Sequence, residues 1–376
     1  MLSFIVALHL LGIFLLLPIF SAYAIQYPGA TLPLVGVALG IYALVQSLLQ
    51  IPSGWASDRF SRKLLLLVGL FLFSLGSFVC GMAEDITQLI LARALQGSGA
   101  VSSVAMAALG DLTRPQVRAQ AFTLVGMAVG AAFTMGLPGG PFLAAQLGFP
   151  GLFYLLAALS FFAFLITVLF FPEIHAPSLK RDKLRFRALM GHAEIRRLYL
   201  AAFILSFTLN LFFFVYPLSW TDLGLSRPQI WKVYLVTLLP SLLLVFPSVR
   251  YAERQGRLRL SAWGGWIFMV VSFLIPLAGR VRRWSLYMTG GSFFLGYTLF
   301  QALLPAFLTQ RVPSESRGAT TGFYNLAGFL GASFGGMVAG VLYHSGQTFP
   351  LIAGLLFFII WPFIGLPNPP DSGAMH

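Results

Sequence analysis

Arg93 is the one strong base set well inside a long apolar run, between Leu91, Ala92 and Ala94, Leu95. A guanidinium at that depth is costly unless it faces a cavity or a partner, so it points to substrate or proton handling. No carboxylate falls at the same depth. Its expected partners are Gln88, Gln96, backbone carbonyls, water or an anionic substrate, and the competing reading is a hydrogen-bonded brace between helices. His9, two turns into the first apolar run, is the best titratable candidate for carrying a proton through a membrane centre, with Asp111 second. The bland reading of His9 is a satisfied polar residue on a packed helix.

Each acidic residue, from Asp58 and Asp111 to Glu253, lies at the end of an apolar run or in a connection. A cationic substrate needs a buried counter-charge, so the pattern disfavours polycations and suits neutral or anionic compounds. Cavity candidates are polar or aromatic side chains inside the runs expected to line one: Tyr42, Gln46, Asn210, Trp220, Tyr297, Gln301, Tyr324 and Asn325. Each could equally hold helices together by hydrogen bonds.

These side chains need elements to position them. The chain has 376 residues, 58% hydrophobic and 9% charged, against about 25% charged in ordinary soluble domains. A core of this size cannot hide that much apolar surface, so the remainder faces lipid. Apolar runs recur from 2–24 to 347–367, twelve in all. The first is expected to be a retained helix rather than a signal peptide, because it is long and opens without basic residues.

Most Lys and Arg fall in alternate connections, among them Arg59, Arg62, Lys63, Arg114, Arg118, Arg254, Arg257 and Arg311. By the positive-inside rule that side is cytoplasmic, with both termini on it. Arg280, Arg282 and Arg283 cluster on the opposite side, against the rule. The net charge of +13 is thus explained by topology and lipid, and nucleic acid is not an expected partner. Cys80 stands alone, so neither a disulfide framework nor a cysteine-ligated metal site is available, and no cofactor is expected.

Pro52, Ser53, Asp58, Arg59 and Arg62 recur at a constant offset as Pro247, Ser248, Glu253, Arg254 and Arg257. A repeat at one offset implies two similar halves. The expected organisation is an N-terminal six-helix bundle at 1–172, a basic cytoplasmic linker at 173–195, a C-terminal six-helix bundle at 196–367 and a tail at 368–376. The linker's Lys180, Arg181, Lys183, Arg185 and Arg187 alternate with apolar residues, which suits a short helix on anionic lipid or a solvated connection. The fold class is an all-α membrane protein of twelve transmembrane helices in two pseudo-symmetric bundles. Halves packed around a midplane cavity are the architecture of transport by alternating access.

The stretch Gly54, Trp55, Ala56, Ser57, Asp58, Arg59, Phe60, Ser61, Arg62, Lys63 resembles the signature between helices two and three of the major facilitator superfamily, with Ser61 in place of the usual Gly. Arg93, Ala94, Leu95, Gln96, Gly97, Ser98, Gly99 agrees with it. The Gly-rich fifth span ending in Gly139, Gly140, Pro141 is similar to the motif of the drug/proton antiporters, with Ala144 and Ala145 where glycines are usual. The resemblance implies a multi-pass bacterial inner-membrane transporter, proton-coupled, exporting small amphipathic compounds and working as a monomer. Proton-linked uptake, uniport and a non-coupled lipid- or ligand-binding protein are the alternatives.

The resemblance also implies that Asp58 accepts from free N–H groups at the start of span eleven. Arg62 then bridges Asp58 to Asp111 in a gating network with Arg59, and Glu253 and Arg257 occupy the repeat-related places. Gly126 with Gly130, Gly136 with Gly140, and Gly336 with Gly340 each share one helix face. Spans five and eleven are expected to use these faces to pack against the opposite half. Pro138 and Pro141 should bend span five. An intramembrane enzyme is disfavoured, since no metal-binding, phosphate-loop or nucleophile motif occurs.

Overall fold

The computed structural model describes residues 2–99, 101–113, 117–173, 192–279, 281–312 and 317–364. The basic run of the linker, the tail and the side chains of Asp58, Arg59 and Asp111 lie outside the described residues. The chain divides into two compact units, one of Met1–Arg181 with Ser226–Trp231 and the other of Asp182–Leu225 with Lys232–His376. The segment Ser226–Trp231 is packed with the first unit, although it follows the first helix of the second in sequence.

Unit 1 contains α1 (Leu2–Leu16), α2 (Phe20–Ala24), α3 (Leu32–Arg59), α4 (Arg62–Met82), α5 (Ile86–Gly97), α6 (Val101–Leu112) and α7 (Arg118–Phe170). Unit 2 is built from α8 (Ala193–Asp222), α9 (Ile230–Arg254), α10 (Leu258–Leu277), α11 (Arg283–Arg311), α12 (Arg317–Ser345) and α13 (Phe349–Ile364). Hydrocarbon offers no partners to a bare backbone, so helices are the form these apolar runs must take. Eight helices are long and apolar enough to cross a membrane by length and composition.

Three crossings are interrupted, each for a local reason. Pro18 has no amide hydrogen to donate and separates α1 from α2. Span four breaks after Gly97, where Ser98 N still donates to Ala94 O and Leu95 O. Within α7 the backbone leaves helical geometry at Gly148, with φ 74 and ψ 167, so α7 is two crossings joined at a kink. Pro138 and Pro141 lie within helical backbone; the break is at the glycine. Counting α1 with α2, α5 with α6, and α7 twice, the described helices make the twelve crossings of the predicted fold class.

Contacts at the helix ends fix the alternation. Lys63 Nζ donates to Val168 O at 2.9 Å, joining the start of α4 to the end of α7. In unit 2, Arg311 Nε donates to Glu194 Oε2 at 2.7 Å across the end of α11 and the start of α8. Tyr343 Oη donates to Asp222 Oδ2 at 3.1 Å at the other end of that unit.

Gly136 and Gly140 make their close approach within unit 1. A Cβ at Gly136 would lie 2.6 Å from Phe14 Cβ, and one at Gly140 would strike the Leu15 carbonyl. Both neighbours are in α1 of the same unit. For Gly126 and Gly130 no described atom lies within 4 Å of an added Cβ. In α12 the close pair is Gly331 and Gly335, against the Phe203 and Phe207 carbonyls of α8.

Because a carbonyl cannot rotate aside, Gly140→Ala should destabilise the protein by about 1–3 kcal/mol. Gly126→Ala has room and gains up to ~1 kcal/mol of helix propensity. Thermal unfolding in detergent checks the contrast: a lower midpoint for the first variant and an equal or higher one for the second.

Candidate functional site

A buried polar cluster in unit 1 forms around Arg93, which is 4% exposed. Arg93 sits one turn before the break at the end of α5, and its side chain meets two other elements, α2 and α3. Its Nε donates to Ala38 O of α3 at 3.4 Å. Its Nη1 donates to Gln96 Oε1 one turn along α5. The guanidinium carbon lies 5.3 Å from the centroid of the Phe20 ring in α2 and 4.6 Å from that of Tyr42 in α3. A cation over an aromatic face is attracted by the ring quadrupole, and more strongly where water is excluded.

Gln96 passes the constraint on. Its Nε2 donates to Ser77 Oγ of α4 at 2.7 Å, and Ser77 Oγ donates to Phe73 O at 2.7 Å. The helices come close enough for this only because side chains are missing at the crossings. A Cβ at Gly97 would strike the Tyr42 carbonyl, and one at Gly76 would strike the backbone N of Gln96.

His9 joins from α1. Its Nε2 lies 3.4 Å from Tyr42 Oη, and its ring packs on Phe73 with centroids 4.6 Å apart. Its Nδ1 is buried and has no hydrogen-bond partner among the described residues. The cluster therefore brings together three residues singled out from sequence, His9, Tyr42 and Arg93, about one aromatic ring. Phe20, Phe73 and Ser77 complete it and carried no sequence signal, since tertiary packing alone makes them neighbours. Gln88 is not a partner of Arg93. It accepts from Glu84 N and donates to Asp85 at the start of α5.

The other candidates divide by burial. Gln46 is fully buried in α3, one turn from Tyr42. Asn210 donates to Ser206 O of its own helix at 3.1 Å. Trp220 and Tyr297 belong to the aromatic core of unit 2, where Trp220 meets Tyr287 edge-on at 4.8 Å and Tyr297 stacks on Phe293 at 5.9 Å. Gln301 is exposed, and Tyr324 and Asn325 are half-buried.

At the Lys63 end of unit 1, Arg62 is buried at the start of α4. Its repeat counterpart Arg257 is exposed, as is Glu253. Among the described residues an ion pair at the corresponding end of unit 2 joins Arg311 and Glu194, a pairing that the repeat does not indicate because neither residue lies in the duplicated stretch. Among the described residues no group of three or more His, Cys, Asp or Glu could hold a metal ion.

The described helices make twelve crossings, with the Arg93 guanidinium buried among neutral acceptors and aromatic rings. The sequence profile of the Major Facilitator Superfamily matches residues 2–194 and 198–374. The inner membrane transport protein YajR of Escherichia coli (strain K12) is 32% identical over 378 residues, covering 98% of this chain and 83% of YajR. The multidrug resistance protein MdtH of Yersinia enterocolitica is 26% identical over 91% of this chain and 85% of its own length. In structure the fold matches a bacterial homolog to the human lysosomal transporter Spinster, in an inward-facing and occupied conformation. The TM-score is 0.73 at 15% identity, over 97% of this chain and 94% of that one. The chain belongs to the Major Facilitator Superfamily, whose members are multi-pass membrane transporters of small molecules and not enzymes.

Proposed function

We propose that the protein is a secondary active transporter of the bacterial inner membrane that exports small amphipathic compounds in exchange for protons. The observation that carries this reading is the Arg93 cluster: a guanidinium in the membrane interior, held by neutral acceptors and two aromatic rings. Such a site presents a fixed positive charge and apolar walls, which suits neutral or anionic amphipathic molecules. Multidrug resistance in the name of the MdtH relative agrees with a broad amphipathic substrate class.

Coupling follows from the geometry of His9. A proton on its imidazole adds a second positive charge beside the Tyr42 ring that already faces Arg93. Like charges repel strongly at low dielectric, so a proton on His9 disfavours the packing of Arg93 on that ring. Antiport in this reading couples that rearrangement to the release of a neutral substrate.

Alternating access in this reading opens the chain to each face in turn, with both termini cytoplasmic and the chain working as a monomer. The inner end closes through Asp58, which accepts from N–H groups at the start of α12, where the helix dipole favours a negative charge. Arg62 and Asp111 complete this clasp with Arg59, and Glu253 and Arg257 take the repeat-related part.

Proteoliposomes with an imposed pH gradient test the coupling. Substrate addition should change lumenal pH, and His9→Gln should flatten the pH dependence of exchange; a uniporter would ignore the gradient, and an unaltered profile would remove His9 as carrier. For the clasp, Asp58→Asn should lower transport about tenfold or more, the loss of ~1.4 kcal/mol or more of differential interaction. Wild-type transport at normal expression would count against it.

A further inference from the structure

The connection after α8 belongs to unit 2 by sequence and to unit 1 by packing. It is a strap, Ser226–Trp231. Ser226 is extended, and Arg227–Gln229 form a 3₁₀ turn closed by Gln229 N donating to Ser226 O at 2.9 Å. Pro228 within that turn has its φ fixed by its ring. The turn runs without a break into α9 at Ile230, which is fully buried.

Arg227 holds the strap down. Its Nε donates to Ala22 O near the end of α2 at 2.9 Å. That carbonyl is open to it because Gln26 N closes onto Tyr23 O instead, and a basic side chain suits a carbonyl at a helix C-terminus. With the Gln26 amide turned so that its oxygen faces the guanidinium, that oxygen accepts from both Nη1 and Nη2 of Arg227, the latter at 2.7 Å. One planar fork thus engages two residues at the end of α2, a geometry that lysine cannot copy. Trp231 meets Phe142 of α7 edge-on, with centroids 5.9 Å apart. All of these contacts are internal to unit 1.

The chain on either side of the strap has no slack. Gly224, at φ 79, closes the end of α8, where Gly224 N donates to Thr221 O at 2.9 Å and Leu225 N to Trp220 O at 3.0 Å. Asp222 in the same turn accepts from Tyr343 Oη at 3.1 Å and from Gln347 Nε2 at 3.3 Å, which ties that end of α8 to the end of α12. Only Leu225 and Ser226 join this cap to the strap, and two residues reach at most about 7 Å when fully extended. On the other side α9 is helical from Ile230 and cannot stretch. A displacement of several ångströms between the end of α8 and α2 therefore breaks the Arg227 bonds.

We infer that Arg227 is a latch at the end of unit 1 opposite Lys63. Its hydrogen bonds to Ala22 O and Gln26 hold the strap while that face is closed and release before it opens. The inference rests on the alternating-access reading above, in which this is the outer face and the Asp58 clasp serves the inner one. Arg227 is half-buried, so water takes up its donors on release and the step is reversible.

Double electron–electron resonance on the full chain in lipid nanodiscs tests the latch. Cys80 is replaced by Ala, and spin labels are placed at Glu84→Cys in the α4–α5 turn and Ser345→Cys at the end of α12, both exposed positions at this end. Arg227→Ala should raise the ratio of the longer to the shorter distance about tenfold, the shift expected when a hydrogen bond from a charged donor is lost. Gln26→Leu should move the ratio in the same direction. A distribution unchanged in Arg227→Ala, or shifted toward the shorter distance in either variant, overturns the latch. Should Arg227→Ala lose its helicity by circular dichroism, Gln26→Leu, altered at an exposed position, carries the prediction, and an unchanged distribution there overturns it. No substrate or pH gradient enters the measurement, so a failure of proton exchange leaves its outcome intact, and a strap that stays put in a working exchanger defeats the latch alone.

Discussion

A guanidinium kept in hydrocarbon is the constraint around which the first unit is arranged. Arg93 has Ala38 O and Gln96 Oε1 for acceptors and the faces of Phe20 and Tyr42 for the rest of its charge. A charge in the membrane interior is tolerated only where the protein supplies what water would have supplied. Meeting that demand draws α2, α3, α4 and α5 together, since the acceptors and rings come from the first, second and last of these, and Gln96 is in turn held by Ser77 of α4. A brace and a binding site are therefore not competing descriptions of Arg93. The brace consumes its nearest acceptors and leaves the charge unneutralised by any described carboxylate.

The same closeness explains the glycines. Without a hydrophobic drive between helices in lipid, association rests on packing and hydrogen bonds. Gly76 and Gly97 permit the helix contacts beneath Arg93, while Gly136 and Gly140 do so between α7 and α1. In unit 2, where no such buried charge is described, Gly331 and Gly335 seat α12 on α8 and an aromatic core fills the interior. Two copies of one helical plan have thus been filled differently, one with a polar cluster and the other with stacked rings.

The twelve crossings were legible in sequence because apolar run length is set by bilayer thickness and survives any tertiary detail. Arg93 and His9 were legible too, as polar residues at depth where any polar residue is conspicuous. Their partners were not. Phe20, Phe73 and Ser77 are ordinary in an apolar helix and matter only by what packs against them. Gly126 and Gly130 share the spacing of Gly136 and Gly140 without a described atom within 4 Å of an added Cβ, because spacing gives a common helix face and not what that face meets. The repeat preserves the positions of Glu253 and Arg257 without indicating the ion pair described in unit 2, Arg311 with Glu194, which lies outside the duplicated stretch.

The most direct measurement is gradient-driven exchange by reconstituted Arg93→Gln, which keeps hydrogen-bonding capacity while removing the charge. The account predicts a monodisperse, helical protein whose exchange falls by about tenfold or more, equivalent to ~1.4 kcal/mol or more in the barrier. A variant that exchanges at the wild-type rate with the wild-type pH profile would contradict it.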